Sequence, residues 1–556
     1  MRVFLALRFR LTLGTALTLS APALADQVPL DRTDPGIATR QAPAPPAPPA
    51  AGSDAPKLLP GAKVSASAQP GTAGVFVGAI QIDGAKHVSL AELMQAVSPF
   101  IGRRLSPAEL QDLAKTVSGV ARARGYIFAH SSVPAQAIAA GVIRVELDEG
   151  RIDEVRLTGT PSDAVKSLLQ ELVGDAPTRG AVDRQLMLAQ DLPGVRLGSA
   201  RYVREGERGV LVVPVTVDRV RGRATIDNRG LSALGPVRAQ LAVDVNGLLG
   251  ERDVLTVQGL VTPVQPRELR VAFARYAYQL DNEGTELAVY GSYGRTHSGG
   301  AWRAYDVNGK SYSTGIGLSR PLLRGRKVSL WLTGGVDYFA IDQWASGNRV
   351  RRDRVTTANL SLNGYAPLAG GRVRAGMAVT RGLDILDATE GSDTLASRPG
   401  GGDDFTMFGG WANWTGDLVG PLSARLAVTG QLSTAPLLAI EQITIGGPVF
   451  GRGYDYSERS GDRGVLGSAE LRLRLLDRSG GLVRWIQLYG FGDAATVGNL
   501  RNDYGTGSLY SAGAGARLNL SHGLSMSLEA AFPIDEIRYG SGDKAPRISA
   551  SLGAQF

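Results

Sequence analysis

Apolar and polar residues alternate along the C-terminal part of the chain, from about residue 220 to the end, in stretches separated by turn residues. The clearest stretches place an apolar side chain at every second position: Ala239, Leu241, Val243 and Val245; Ala469, Leu471, Leu473 and Leu475; Leu524, Met526, Leu528, Ala530 and Phe532. This period gives each strand one apolar and one polar face. A soluble sheet covers its apolar face with a second layer, and nothing in this region supplies one. The pattern therefore predicts a β-barrel whose apolar face lies in lipid.

Counting the alternating stretches predicts sixteen strands within residues 220–556. Their expected starts are Ala224, Arg238, Asp253, Glu268, Thr285, Ser311, Val328, Arg354, Arg372, Phe405, Leu422, Leu466, Arg484, Leu509, Leu524 and Arg547. At roughly ten residues each, the strands use about half of the region and leave the rest for turns and loops. Because the number is even, both ends of the barrel face the same side. The loop at 437–464 is then the sixth loop on the opposite side.

Two smaller modules precede this region, at residues 75–149 and 150–219, and each reads strand, helix, helix, strand, strand. In the first module, Ser89 and Glu92 are spaced as a helix capping box, and Ser106-Pro107 as an N-cap followed by a first-turn proline. In the second, Pro193-Gly194 ends a helix ahead of two strands, expected near 197–203 and 209–217. The matched order and length predict a tandem pair, against the alternative of two unrelated α/β domains.

The N-terminal residues 1–25 are typical of a secretory signal peptide, with three early arginines, a short apolar run and Ala23-Leu24-Ala25 as a cleavage site. The run is shorter than the alternative, an anchor helix, requires. Residues 26–74 are rich in proline and alanine, which predicts an extended linker. A short segment ahead of the proline-rich run, within 31–40, is predicted to be helical. An exported chain without a spanning helix crosses a membrane only as a closed barrel.

Composition argues against several function classes. The chain has no cysteine, and its four histidines lie in different modules without metal-ligand spacing, so no metal is expected. It lacks a phosphate-binding loop and any defensible catalytic constellation, so we expect no cofactor and no enzyme activity. The net charge of +8 fits arginines that face an aqueous lumen better than a nucleic-acid partner in an exported chain.

The most distinctive motif is GGPVFGRGYDYSERSGDRG at 446–464, with Arg452 between Gly451 and Gly453 and followed by Tyr454. Flanking glycines let a backbone pass close to a wall, and a partly desolvated arginine fork requires a carboxylate. About forty residues later, Phe491-Gly492-Asp493 lies on a predicted strand. The alternative is that Arg452 and Asp493 are ordinary solvated charges.

Together, the two motifs and the tandem modules resemble the two-partner secretion transporters (TpsB family, haemolysin secretion/activation type) of the Omp85 superfamily. The resemblance implies a 16-stranded antiparallel transmembrane β-barrel preceded by two periplasmic α/β POTRA domains, in the outer membrane of a Gram-negative bacterium. It also implies a pore-folded loop locked by Arg452 and Asp493, with Tyr454 and Phe491 beside them and the glycines 451 and 453 giving clearance. The family usually has Val or Ile where this chain has Gly451. The short N-terminal segment would be a barrel plug.

Partners follow from the same resemblance. The secreted partner would be an unfolded polypeptide, a large β-helical exoprotein of haemolysin or adhesin type, and the other partners would be outer-membrane lipid and the barrel-assembly machinery. The terminal Phe556 ends an alternating strand, as does the signal that this machinery recognises. An alternative function is an assembly or insertion factor of the same superfamily, which usually carries more POTRA modules. A diffusion porin would leave residues 75–219 and the arginine motif unexplained.

Overall fold

A computed structural model describes residues 35–36, 57–59, 74–136, 141–478, 480–501, 503 and 505–556. The predicted signal peptide lies outside these residues, as does most of the predicted linker. Of the predicted helical segment within 31–40, only Pro35 and Gly36 are described, and both are helical and buried. Pro35 lies against Gly309 of the barrel wall, where a Cβ would clash with it. Among the described helices, none has the length and apolar character needed to span a bilayer.

The first module contains a three-stranded sheet and two helices. Its elements are β2 (Val75–Val77), β3 (Ala79–Asp83), α1 (Leu90–Val97), β4 (Arg103–Leu105), α2 (Pro107–Ala123), β5 (His130–Ser132) and β6 (Val142–Asp148). Strand β6 is central, with β3 parallel on one side and β5 antiparallel on the other, and β2 pairs separately with β4. The helices bury an apolar face, including Leu93, Leu113 and Val117, against this sheet.

The two predicted helix starts of this module differ in outcome. Ser106 caps α2 in a full capping box with Glu109, and Pro107 occupies the first turn. The capping box predicted for α1 is wrong, because the Ser89 side chain makes no cap hydrogen bond. Glu92 instead accepts hydrogen bonds from Arg124, at the end of α2. The carboxylate that the sequence spacing assigned to the cap of α1 thus forms an ion pair between α1 and α2 instead.

The second module repeats the plan. Its elements are β7 (Glu154–Gly159), α3 (Asp163–Gln170), α4 (Arg179–Gln190), β8 (Val195–Leu197), β9 (Ala200–Glu205) and β10 (Arg208–Val217). The single strand expected near 197–203 is two strands, because the backbone breaks at Gly198, where Pro214 lies too close for a side chain. Strand β10 is central, between β7 and β9, and β1 (Leu58–Leu59) pairs in parallel with β9.

Glu149, at the end of the first module, has a carboxylate that is almost fully buried. It accepts hydrogen bonds from the backbone amides of Lys86, His87 and Val88 and from His87 Nδ1. Burial disfavours its charge, but the His87, Val88 and Lys86 hydrogen bonds outweigh burial and lower the pKa of Glu149. On the far side, His87 Nε2 lies 3.3 Å from Asp175 Oδ1 in the second module.

We expect Glu149→Ala to destabilise the modules by about 3 kcal/mol, because it leaves buried amides without an acceptor. A carboxyl with a lowered folded pKa stabilises the fold above its ordinary range, and that contribution is lost as pH falls through the folded pKa. Wild-type modules should therefore lose stability below about pH 4.5, and the variant should lose less. The readout is thermal loss of the helical circular dichroism signal, since α1–α4 all lie in these modules. Equal acid sensitivity of both proteins would contradict this role.

Sixteen described strands form a closed antiparallel barrel, which confirms the predicted fold class. They are β11 (Val220–Asp227), β12 (Arg238–Asn246), β13 (Asp253–Val261), β14 (Leu269–Gln279), β15 (Glu286–His297), β16 (Val307–Arg324), β17 (Ser329–Ala345), β18 (Asn348–Leu368), β19 (Gly371–Leu383), β20 (Thr406–Val419), β21 (Leu422–Ser433), β24 (Arg463–Asp477), β25 (Val483–Gly498), β26 (Gly507–Leu520), β27 (Ser525–Pro533) and β28 (Arg547–Gln555). Every second residue faces outward, for example Leu471 and Leu528, which are both more than half exposed.

The predicted uniform strand length is wrong for β16, β17 and β18, which have 18, 17 and 21 residues. A membrane requires only about ten residues per strand, so these three extend beyond the lipid on the side opposite the modules. There they continue to pair, because ladder hydrogen bonds hold in water as well as in lipid. The strand ends are therefore not set by the apolar alternation alone.

The second module is held against the barrel by three residues at two turns on the module side. Glu251 of the β12–β13 turn accepts a hydrogen bond from the Ala164 amide, at the start of α3. Arg324, at the end of β16, binds both oxygens of Asp191, each at 2.6 Å. Arg326 binds Asp183 of α4 at 2.7 Å. These contacts fix the module below one side of the barrel mouth.

Candidate functional site

Loop L6, defined as residues 434–462 between β21 and β24, is the sixth loop on the side opposite the modules, as predicted. Its two legs pair as β22 (Ile443–Ile445) and β23 (Arg459–Gly461), which makes the loop an extended hairpin. The hairpin turns on Gly446 and Gly447, with φ of 98° and 100°, a region that favours glycine. The tip reaches Arg452, which meets the lumen wall formed by β24–β27.

Asp493 is the centre of the wall site. It lies five residues before the outer end of β25, about 17 Å from that end along the strand at the usual rise. The ladder places Ser468 opposite it on one side and Ser511 on the other, so all three side chains share the lumen face. Ser511 Oγ donates to Asp493 Oδ2 at 3.1 Å. The register thus presents a carboxylate between two hydroxyl groups.

Arg452 reaches this site and donates hydrogen bonds from all three nitrogens of its guanidinium group. Its Nε and Nη2 donate to the two oxygens of Asp493 at 3.0 and 2.9 Å, and its backbone N–H donates to the same carboxylate at 3.0 Å. Nη2 also donates to Ser468 Oγ at 3.1 Å. The guanidinium carbon lies 3.3 Å from the centre of the Phe491 ring, a close cation–π contact. The structure therefore brings together the residues that the two motifs singled out.

Two further carboxylates complete the site, and the sequence analysis did not assign them to it. Arg452 Nη1 donates to Glu470 at 3.1 Å and to Glu529 at 3.4 Å, and both acids are almost fully buried. In the sequence, each occupies a polar position within an alternating stretch, Glu470 after Ala469 and Glu529 after Leu528. Their position near Asp493 follows only from the register of the strands, which the alternation does not give.

Neighbouring arginines balance the surplus acid. Arg517 binds Glu470 at 2.7 and 3.1 Å, and Arg472 binds the same carboxylate at 2.7 Å. Arg229, in the first outer loop, lies 3.3 Å from Glu529. The site is thus a network of carboxylates and guanidinium groups. Arg452 is the cation supplied by L6, while the others belong to the wall and to the first outer loop.

The glycines beside Arg452 give the clearance that the motif implies. A Cβ at Gly453 would lie 2.6 Å from Pro533 N and 2.7 Å from Phe532 C, which are backbone atoms of β27. Gly451 has a φ of 76°, where a β-branched residue is strained. This explains why the Val or Ile usual in the resembled family does not fit the backbone conformation seen here.

Tyr454 is fully buried on the other side of the loop backbone. Its ring packs in a cluster with Ile445, Leu466, Val497 and others on the wall, and its hydroxyl donates to Asp535 Oδ1 at 2.7 Å. Burial raises the pKa of Tyr454 to about 12, with the Asp535 hydrogen bond adding to the shift, so the hydroxyl stays protonated at neutral pH. Tyr454 thus attaches L6 to the last outer loop as well as to the wall.

We expect Tyr454→Phe to weaken loop docking only slightly, by about 0.5–1.5 kcal/mol, because it removes one hydrogen bond and keeps the packed ring. Tyr454→Ala should cost about 3–5 kcal/mol, since it empties a fully buried site. The measurement is the rate at which added protease cuts L6 in the purified barrel. If the phenylalanine variant is cut as fast as the alanine variant, the hydroxyl rather than the ring anchors the loop.

A second buried ion pair holds the base of L6. Asp462 is fully buried and accepts a hydrogen bond from Arg398, in the fifth outer loop. It also accepts from the backbone amides of Leu437 and Leu500, at 2.9 Å each. The base of the hairpin is thereby tied to the two loops on either side, which leaves the tip as the part held by Arg452.

The remaining predicted site residue, Phe556, lies at the seam of the barrel. Its backbone exchanges two hydrogen bonds with Gly222, at 2.7 and 3.0 Å, and so extends the pairing of β28 with β11. Its ring is largely exposed and lies over Gly222, where a Cβ would clash. Among the described residues, no group of three or more His, Cys, Asp or Glu side chains is arranged to hold a metal ion.

Comparison with known proteins agrees with this architecture. The heme/hemopexin transporter protein HuxB of Haemophilus influenzae (strain 86-028NP) is 21% identical over 439 residues, which cover 76% of this chain and 74% of that protein. The outer membrane transporter CdiB of Escherichia coli O6:K15:H31 (strain 536 / UPEC) is 24% identical over 476 residues, covering 82% of this chain and 79% of that protein. The solved structure of CdiB from Escherichia coli superposes with a TM-score of 0.71 at 21% identity, over 89% of this chain and 92% of that one.

Two family models match the chain itself. Residues 75–150 match the ShlB-type POTRA domain, which covers the first periplasmic module. Residues 206–518 match the family described as haemolysin secretion/activation protein ShlB/FhaC/HecB, and this span holds the barrel from its first strand to β26, with L6 and Asp493. The chain belongs to the haemolysin secretion/activation protein family ShlB/FhaC/HecB, the outer-membrane transporters of two-partner secretion, with its POTRA modules in the periplasm.

Proposed function

We propose that L6 is the gate of this transporter and that Arg452 is the latch that holds the gate in the lumen. The observation that carries the proposal is the convergence of Asp493, Glu470 and Glu529 on one loop arginine, with all four side chains almost fully buried. Buried carboxylates left without their cation are costly, so a wall of this kind favours the docked loop. The same wall becomes a polar, water-accessible surface once the loop leaves.

The partner is a polypeptide that arrives unfolded in the periplasm. The POTRA modules receive it, because each sheet has an edge at which an extended chain adds by main-chain hydrogen bonds. In the second module β1 occupies the β9 edge, while β7 forms the opposite edge of the same sheet. The contacts of Arg324 and Arg326 hold this module at the barrel mouth, which supports delivery of a bound chain there.

The secreted partner is proposed to be a large β-helical exoprotein of haemolysin or adhesin type. Folding of such a protein outside the cell supplies the free energy of transport, because no nucleotide is expected in the periplasm. The transporter itself then requires no catalytic group and no cofactor. Insertion of the barrel into outer-membrane lipid is proposed to depend on the assembly machinery, which would read the terminal strand with Phe556.

The test compares the culture medium and the outer-membrane proteins of cells with and without this gene. Loss of one large secreted polypeptide, with other barrels unchanged, supports a dedicated transporter and identifies its partner. Broad loss of outer-membrane barrels would instead support an assembly or insertion factor and contradict the proposal. Restoring the gene must restore the same polypeptide, which excludes an effect on neighbouring genes.

A further inference from the structure

Three cations form a row on the outward face of the barrel, near its extracellular end, and we call Arg270, Arg295 and Lys310 the outer basic row. The ladder pairs Arg270 with Arg295, and Arg295 with Lys310, so the three stand directly opposite one another on β14, β15 and β16. Residues paired in this way share a face of the sheet. Like charges placed directly opposite each other are destabilising unless an anion lies between them.

The row points away from the lumen. On β16, Gly309 faces inward, because Pro35 lies against it, and the next residue, Lys310, therefore faces outward. On β14, Val271 is buried in a cluster against which Tyr456 of L6 packs, and the preceding residue, Arg270, therefore lies on the outer face. Arg270 and Arg295 are exposed. A polypeptide moving through the lumen passes on the other side of this wall.

No described carboxylate forms a salt bridge with any member of the row, whereas other outward cations of the same rim have one. Arg354 binds Asp342 at 2.8 Å and Arg381 binds Asp404 at 2.7 Å. Lys310 stands opposite Asp342 in the ladder, but its ammonium group lies over the Trp344 ring, 5.5 Å from the ring centre. Arg354 binds one carboxylate oxygen of Asp342, Oδ2, and Arg349 Nε lies 3.9 Å from the other, Oδ1.

The height of the row matches the boundary of the membrane. Val289 and Ile316 are outward and half exposed, and four residues further out Tyr293 and Tyr312 form an outward pair with ring centres 4.9 Å apart. Exposed aromatic residues at this level mark the interface between acyl chains and headgroups in outer-membrane barrels. Arg295 and Lys310 come two residues beyond the tyrosines, about 7 Å further out along the strands at the usual rise. That is the level of the lipid headgroups.

We propose that the outer basic row binds the phosphate groups of an anionic lipid headgroup in the outer leaflet. Lysine and arginine side chains at a membrane surface are attracted to anionic lipids, and arginine recognises phosphate with two parallel hydrogen bonds. The bound phosphate separates the three cations and fixes the barrel's vertical position on this side. The row stands on β14, β15 and β16, whereas the Arg452 site is formed by β24–β27.

The probe is phosphorylated lipid A, titrated into the purified full-length protein in neutral detergent, with binding followed by native mass spectrometry. We expect the double variant Arg295→Gln/Lys310→Gln to bind about thirtyfold more weakly than the wild type. The matched control Arg352→Gln/Arg381→Gln also removes two outward charges, but from residues with carboxylate partners, and should bind like the wild type. The exchange Arg295→Lys/Lys310→Arg, which keeps both charges, should also retain binding.

Three results would overturn the proposal. The first is equal affinity of the wild type and the Arg295→Gln/Lys310→Gln variant, with both barrels folded as judged by their heat-dependent migration on gels. The second is equal affinity of the wild type for dephosphorylated lipid A, which would show that phosphate is not recognised. The third concerns the source of the phosphate. Saturable binding of inorganic phosphate at the row without lipid, with no added affinity for lipid A, would assign a free anion.

Discussion

Arg452→Ala is expected to release L6 from the lumen wall and to stop normal secretion of the partner polypeptide. The substitution leaves Asp493, Glu470 and Glu529 buried without the cation that they share. Removing one member of a buried charge network costs about 3–5 kcal/mol, which changes the ratio of docked to free loop by a factor of roughly 100 to 5,000. The measurement is the amount of partner in the medium, together with the protease sensitivity of L6.

The control for this prediction is Arg452→Lys, which keeps the charge and loses the fork. Lysine presents one compact ammonium group and cannot reproduce the paired hydrogen bonds to Asp493 together with that to Glu470. We therefore expect an intermediate loss of docking and secretion. Unchanged secretion by the alanine variant, with a correctly folded barrel, would show that the latch has no part in transport.

Gly453→Ala is expected to weaken docking of L6, because the added methyl group meets backbone atoms that cannot move aside. Its Cβ would lie 2.6 Å from Pro533 N and 2.7 Å from Phe532 C, within a paired strand of the wall. Overpacking of this kind costs about 1–3 kcal/mol. The tip of L6 must then withdraw from β27, and the Arg452 contacts must lengthen. Protease sensitivity of L6 and secretion of the partner report both consequences.

The chain offers a close control in Gly492→Ala, next to Asp493 on β25. A Cβ at Gly492 has no neighbour within 4 Å, so the added methyl group points into open space on the outer face. This variant should secrete like the wild type. If both glycine variants lose secretion equally, the effect lies in folding of the barrel rather than in docking of the loop.

Much of the architecture follows from the sequence because one physical rule applies along the whole barrel. Lipid on one face and water on the other impose a period of two, and the sixteen predicted strands correspond to the sixteen observed ones. The lengths of β16–β18 cannot be predicted from this rule, because beyond the lipid neither face of a strand has to be apolar. The capping box predicted for α1 is wrong because Arg124, at the end of α2, binds the Glu92 carboxylate.

Only those residues of the candidate site that belong to a sequence motif could be predicted from the sequence. Arg452 and Asp493 stand out because glycines flank one and an aromatic precedes the other by two residues. Glu470 and Glu529 are ordinary polar positions in the alternation, and only the register shows that they lie on the same patch of wall as Asp493. The outer basic row was missed for the same reason, since its three members are spread over 41 residues of sequence, from 270 to 310.

The most direct test of the latch uses the absence of cysteine from the chain. Ser468 lies beneath the Arg452 guanidinium and is almost fully buried, so the near-isosteric Ser468→Cys variant places a single thiol under the docked loop. The measurement is the rate at which a membrane-impermeant maleimide labels that thiol. We predict slow labelling when Arg452 is present and fast labelling when Arg452→Ala is combined with it. Equal rates in the two proteins would contradict the claim that Arg452 holds L6 in the lumen.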